Sequence, residues 1–189
     1  MMKSKNLTST FLAMAFFGML FSANGQKNYE LIKEQNFSVF GTSTLHDWEM
    51  TSTEGTGNAN FTITDSNLEE INGITINILS ETLKSDKAAM DKVAYKTLKT
   101  NKFKTIEYVL KTAEKVNENT WNLTGTLTIA GVSRELKTQV KTAISDDIVS
   151  LEGTNRITFE EYGMTPPKAL LGTVKTGKEM VLKFNIHFN

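Results

Sequence analysis

The 189 residues contain no cysteine. That absence removes thiolate catalysis, structural disulfides, Cys-ligated metals and a thioether lipid anchor together. Histidine occurs only twice, at His46 and His187. A zinc site needs three or four ligands, and strand parity puts these two on opposite faces, so no metal is expected. Neither sign of charge is in excess, with 21 basic and 21 acidic side chains. The basic stripe that nucleic-acid binding requires is missing, and no nucleic-acid partner is expected. The chain also lacks a Gly-x-Ser-x-Gly elbow, an ordered catalytic triad, an internal repeat and a low-complexity linker. After residue 25 no apolar run is long enough to cross a bilayer as a helix.

Residues 1–25 read as a secretory signal peptide. Lys3 and Lys5 form a short positive region, Phe11 to Phe21 is almost wholly apolar, and Ala23 and Gly25 supply small residues at a cleavage site. The run is short for a membrane span, which leaves an uncleaved anchor as the alternative. Residues 26–189 then form one domain, exported to the periplasm or, alternatively, secreted. Loss of Lys3 and Lys5 leaves 19 basic against 21 acidic groups.

From residue 30 onward the dominant period is two. Trp121, Leu123, Gly125, Leu127 and Ile129 share one face, and Asn122, Thr124, Thr126 and Thr128 the other. A half-buried strand has this pattern because successive side chains point to opposite sides of the sheet. The run from Met180 to Phe188 repeats it, as do Val149 to Phe159, Leu136 to Thr142, Ile106 to Leu110 and Ile74 to Ile78. Shorter strands carry Phe37 and Val39, then His46, Trp48 and Met50, then Phe61 and Ile63. Clusters at 54–58, Asn72-Gly73, 117–119, 145–147 and 176–178 read as turns.

One segment departs from this period. Over Ser85 to Lys99, Ala89, Met90, Val93, Ala94 and Leu98 fall at helical spacing, with Ser85 or Asp86 as the expected N-cap. The fold class is therefore all-β, with one short amphipathic helix inserted between strands. Strands of about ten residues suit a tilted barrel better than a sandwich. A barrel of about eight antiparallel strands either fills its interior or holds one small ligand. Gly125, Gly153, Thr138 and Thr142 are small for a filled core and hint at the second.

The inward face offers a set of candidate lumen residues. They are Val39, His46, Trp48, Met50, Phe61, Ile63, Ile76, Ile78, Ile106, Tyr108, Leu123, Leu127, Val140, Leu151, Phe159, Leu182 and Phe184, with Met90 from the helix. Ordinary core is the plainer reading for every aromatic and for the helix face. His46 and Asp47 cannot act on each other, since adjacent strand residues point apart. A histidine bonded to backbone is the better reading of His46, and a contact to a ligand's polar head the sharper one. Gly172-x-x-x-x-Gly177-Lys178 imitates a phosphate loop, but Glu179 replaces the hydroxyl residue and a strand follows. It reads as a hairpin connection. No catalytic residue is assigned.

The stretch Gly125-Thr126-Leu127-Thr128-Ile129-Ala130-Gly131-Val132-Ser133-Arg134, followed by Glu135-Leu136, resembles the signature hairpin of the YceI-like family. Phe37 to Phe40, the helix ending near Leu98, Phe103-x-Thr105-Ile106-x-Tyr108 and Phe159-x-x-Tyr162-Gly163-Met164 agree in order. Lys104 stands where such families usually have proline, and the segment from Thr82 to Phe103 is compact. The resemblance implies an extended lipocalin-like barrel of eight strands. It also implies a bound isoprenoid lipid or isoprenoid quinone rather than a cofactor. Such a cargo makes transient membrane contact a further expectation, for delivery or for stress protection. A structural module with a filled interior is the alternative, and a lipid-modifying enzyme built around His46 is a third reading.

Overall fold

A computed structural model describes residues 27–33 and 35–189. The leader expected over residues 1–25 lies outside the described residues. Among the described residues there are eleven strands where eight were expected. They are β1 (Lys27–Glu30), β2 (Asn36–Ser43), β3 (Trp48–Ser52), β4 (Thr56–Thr64), β5 (Asn67–Leu79), β6 (Thr105–Asn117), β7 (Thr120–Ile129), β8 (Val132–Ser145), β9 (Ile148–Thr158), β10 (Lys168–Ala169) and β11 (Val174–Phe188). Helix α1 (Ala88–Leu98) joins β5 to β6. The sheet is antiparallel in the order β1-β4-β5-β6-β7-β8-β9-β11-β2-β3, with short β10 paired to β11.

The surplus strands are halves of longer ones. β1 and β2 follow each other along β11, and β3 and β4 follow each other against them. Leu31 bridges Phe188, and Glu30 and Asn189 exchange backbone hydrogen bonds at 2.9 and 3.0 Å. These contacts join the two ends of the sheet, so β1–β2 and β3–β4 act as single staves of an eight-staved barrel. The ring closes at this end. At the other, the outer edge of β3 makes an isolated bridge from Thr51 to Lys84, and loops and α1 complete the wall.

Tight turns fix which end is which. Asp65-Ser66, Ala130-Gly131 and Asp146-Asp147 each have positive φ at both positions, the geometry whose twist matches a hairpin. Gly131 has a second reason to lack a side chain. A Cβ there would lie 2.2 Å from the Phe103 ring, which covers the turn. Gly131→Ala combines left-handed strain with that clash and is expected to cost about 2–4 kcal/mol in denaturant unfolding.

Two expected turns are bulges instead. Asn72-Gly73 lies within β5, where Asn60 pairs Gly73 and Phe61 pairs Ile71. A second bulge leaves Glu69 unpaired between Leu68 and Glu70. Each extra residue resets the alternation, so Leu68, Ile71 and Ile74 all face the core at a spacing of three. Likewise, residues 176–178 fall inside β11 at a register shift and do not form a hairpin connection. The helix N-cap is Lys87, not Ser85 or Asp86. Ser85 instead donates its backbone N–H and hydroxyl to the Asp91 carboxylate at 2.8 and 2.7 Å, bracing the chain just before the helix. Lys99 ends α1 in the left-handed conformation.

Candidate functional site

The two ends of the barrel are packed differently. At the closed end Tyr29, Phe61 and Phe188 meet as rings, at centroid distances of 5.2 and 5.7 Å. Trp121, Val140, Val149, Leu68 and Ile71 fill the space around them. This plug holds the interior shut. Above it lies an apolar cavity of about 490 Å³ that opens at the α1 end. That volume falls within the ~300–1,000 Å³ typical of small-molecule sites.

Strand parity and the helix face bring most of the candidate residues together around this cavity. Val39, Trp48 and Met50 line it from the β2–β3 side, and Ile76 and Ile78 from β5. Ile106, Tyr108, Leu123 and Leu127 form the wall of β6 and β7. Leu151, Phe159, Leu182 and Phe184 complete it from β9 and β11, with Met90 reaching in from α1. Phe61, Ile63 and Val140 do not line it. They face inward as their parity requires, but Phe61 and Val140 sit in the plug with no exposed surface, and Ile63 packs against it.

His46 touches the cavity only at its rim and is exposed. β3 begins at Trp48, so His46 belongs to the preceding turn and strand parity does not govern it. Its Nδ1 faces the Asp47 carbonyl at 2.6 Å, and the Ser43 hydroxyl donates to the His46 carbonyl at 2.7 Å. The turn is held by these local bonds.

The inward glycines have a different role from the one expected. A Cβ on Gly125 would lie 2.4 Å from the Tyr108 ring, and one on Gly153 would lie 2.5 Å from Phe184. Trp48 lies over Gly41 in the same way. Each glycine is a seat for an aromatic ring and leaves no hole. The open volume arises because the wall side chains around it do not meet across the lumen.

Polar groups in the wall are few. Thr138 donates to Asn155 Oδ1 at 2.7 Å, and Asn155 Nδ2 donates to the Lys137 carbonyl at 2.8 Å. The Tyr108 hydroxyl is buried against Gly125 and has no hydrogen-bond partner. Desolvation pushes its pKa up to about 12. Among the described residues no carboxylate lines the cavity. Among the described residues no cluster of three His, Cys, Asp or Glu side chains is placed to hold a metal. Nothing in the wall sets a nucleophile against a base. The arrangement is suited to enclosing an apolar molecule.

Tyr108→Phe removes an unsatisfied buried hydroxyl and keeps the ring over Gly125. Unfolding of the lipid-free protein is expected to show a gain of about 1 kcal/mol. The raised pKa has a further consequence. As pH climbs from about 10 to 12, the unfolded tyrosine ionises while the folded one stays neutral, so stability falls over that window. Tyr108→Phe should reduce that fall.

Several lining residues were not among the candidates. Ile74, Ile129, Leu136, Ile157, Met180 and Ile186 share the inward parity and differ only in height. Leu83, Met164, Pro167 and Val174 come from the irregular connections at the mouth or their junctions with strands, where no period marks them. Val93, Ala94 and Leu98 place the apolar face of α1 across the opening.

Comparison with known proteins agrees with this architecture. Burkholderia cenocepacia BcnA superposes with a TM-score of 0.71 at 14% identity, over 83% of this chain and 98% of that one. A polyisoprenoid-binding domain from Saccharophagus degradans gives 0.66 at 9% identity, over 87% and 99%. A Campylobacter jejuni YceI protein gives 0.56 at 16% identity, over 71% and 82%. No curated protein sequence matches the chain. The model of the YceI-like domain matches residues 29–188, nearly the whole described barrel. On that match, the chain belongs to the YceI-like family.

Proposed function

We propose that this protein is an exported, non-catalytic carrier that holds one long isoprenoid lipid or isoprenoid quinone in its barrel. The observation that carries the reading is the apolar cavity, shut by an aromatic plug below and open beside α1 above. Burying each CH₂ is worth ~0.8 kcal/mol, so a long chain gains ample affinity without specific polar contacts. The likeness to a polyisoprenoid-binding domain supports the choice of cargo.

The carrier works in the periplasm, with secretion as the alternative, and contacts a membrane only while loading or unloading. Intact mass of protein recovered from the cell envelope is expected to place its first residue at Gln26. A mass that retains residues 1–25 would contradict export by cleavage. Binding is tested by incubating delipidated protein with a long-chain polyprenol and separating the two by size. About one chain per barrel should co-elute. Failure to retain polyprenol or a matched isoprenoid quinone would overturn the carrier reading.

A further inference from the structure

The barrel is electrically lopsided along its axis. Its closed end carries Asp65, Glu69, Glu70, Glu114, Glu118, Asp146 and Asp147 on or beside the turns against Lys27, Lys115 and Lys141, with Lys115 paired to Glu69 at 3.1 Å. The open end has the opposite character. Between residues 81 and 104, seven lysines face three acids, and residues 163–178 hold three lysines and no acid. Asp47, Glu49, Glu160, Glu161 and Glu179, the last paired to Arg156 at 3.8 Å, also lie on this rim but leave it with a surplus of positive charge.

Two leucines stand out of the same rim. Leu45 is 67% exposed and Leu171 wholly so. They belong to neighbouring segments, since Thr44 bonds to the backbone of Thr173 and Lys175. Leu171 and Gly172 both have positive φ, which turns the chain outward at this point. Two exposed leucines on one lysine-rich rim are unfavourable in water. It suits a surface whose interior is apolar and whose headgroups are anionic.

We propose that the mouth of the barrel docks on an anionic lipid bilayer, with Leu45 and Leu171 entering the interface and the lysines of α1 and of the first residues of β11 facing its headgroups. Docked so, the acidic closed end points away from the bilayer and the cavity opens directly onto it. The inference rests on the carrier reading, because it gives the cargo a route that never crosses water.

The test is flotation of purified protein with phosphatidylglycerol-rich vesicles and with phosphatidylcholine vesicles. Binding should be strong to the first at low salt, weak to the second, and largely lost in high salt. Lys92→Glu, Lys96→Glu, Lys175→Glu and Lys178→Glu together should weaken it at least roughly tenfold. Leu171→Asp should weaken it severalfold without changing uptake of polyprenol from a detergent dispersion. Equal binding to both vesicle types, or indifference to the charge reversals, would overturn the docking surface. Intact polyprenol uptake alongside either result would show that the cavity reading stands while this one fails. Circular dichroism of each variant establishes that it is folded.

Discussion

Phe61→Ala is expected to lower folding stability by about 3–5 kcal/mol, the usual cost of emptying a fully packed aromatic site. Phe61 has no exposed surface and meets Tyr29 and Phe188 at 5.2 and 5.7 Å. Nothing nearby is free to collapse into the gap, because Phe188 is tied through Leu31 to the seam that closes the barrel. A matching truncation in the cavity wall should cost less. Leu127→Ala is expected near about 2 kcal/mol, the low end for leucine, because its cavity-facing side lacks partners to lose. Denaturant unfolding of both lipid-free variants measures the difference. Equal losses would show that the two ends of the barrel are packed alike.

The second large effect concerns binding. Ala94→Trp places an indole from α1 across the opening, where Ala94 lines the cavity and is only half-buried. An indole there displaces roughly four CH₂ groups of a bound chain, about 3 kcal/mol at ~0.8 kcal/mol each. Affinity for a polyprenol should fall about a hundredfold, while stability stays within about 1 kcal/mol because the new ring enters open space. Titration of delipidated protein with polyprenol reads the first quantity, and unfolding the second. Unchanged affinity would place the bound chain away from the mouth.

The two effects mark a boundary that alternation could not draw. Period two tells which face a side chain takes, and it does so well: the burial of Trp121 to Ile129 follows it residue by residue. It does not tell how far along the barrel axis that side chain sits. Phe61 and Tyr108 both face inward, yet one belongs to the plug and the other to the open cavity. Height was readable from a different signal, the distance from the turns. Residues near Asp65-Ser66 and Asp146-Asp147 lie at the filled end, and residues near the helical insertion lie at the mouth.

Glycine misled for a physical reason. A small residue in a wall opens a gap only if no neighbour leans into it, and Tyr108, Phe184 and Trp48 all do. Bulges hid β5 in a similar way. Two extra residues, at Glu69 and Asn72, shift the phase of the pattern and make the strand read as a turn. His46 shows the limit of extrapolated parity, since the strand assigned to it begins two residues later.

The central claim is that the barrel carries a lipid, and native mass spectrometry of the purified protein, paired with organic extraction, tests it most directly. A bound species of several hundred daltons that fractionates with isoprenoid lipids is the expected result. Protein that is reproducibly free of such a species, and that acquires none when offered a polyprenol or an isoprenoid quinone, would contradict it.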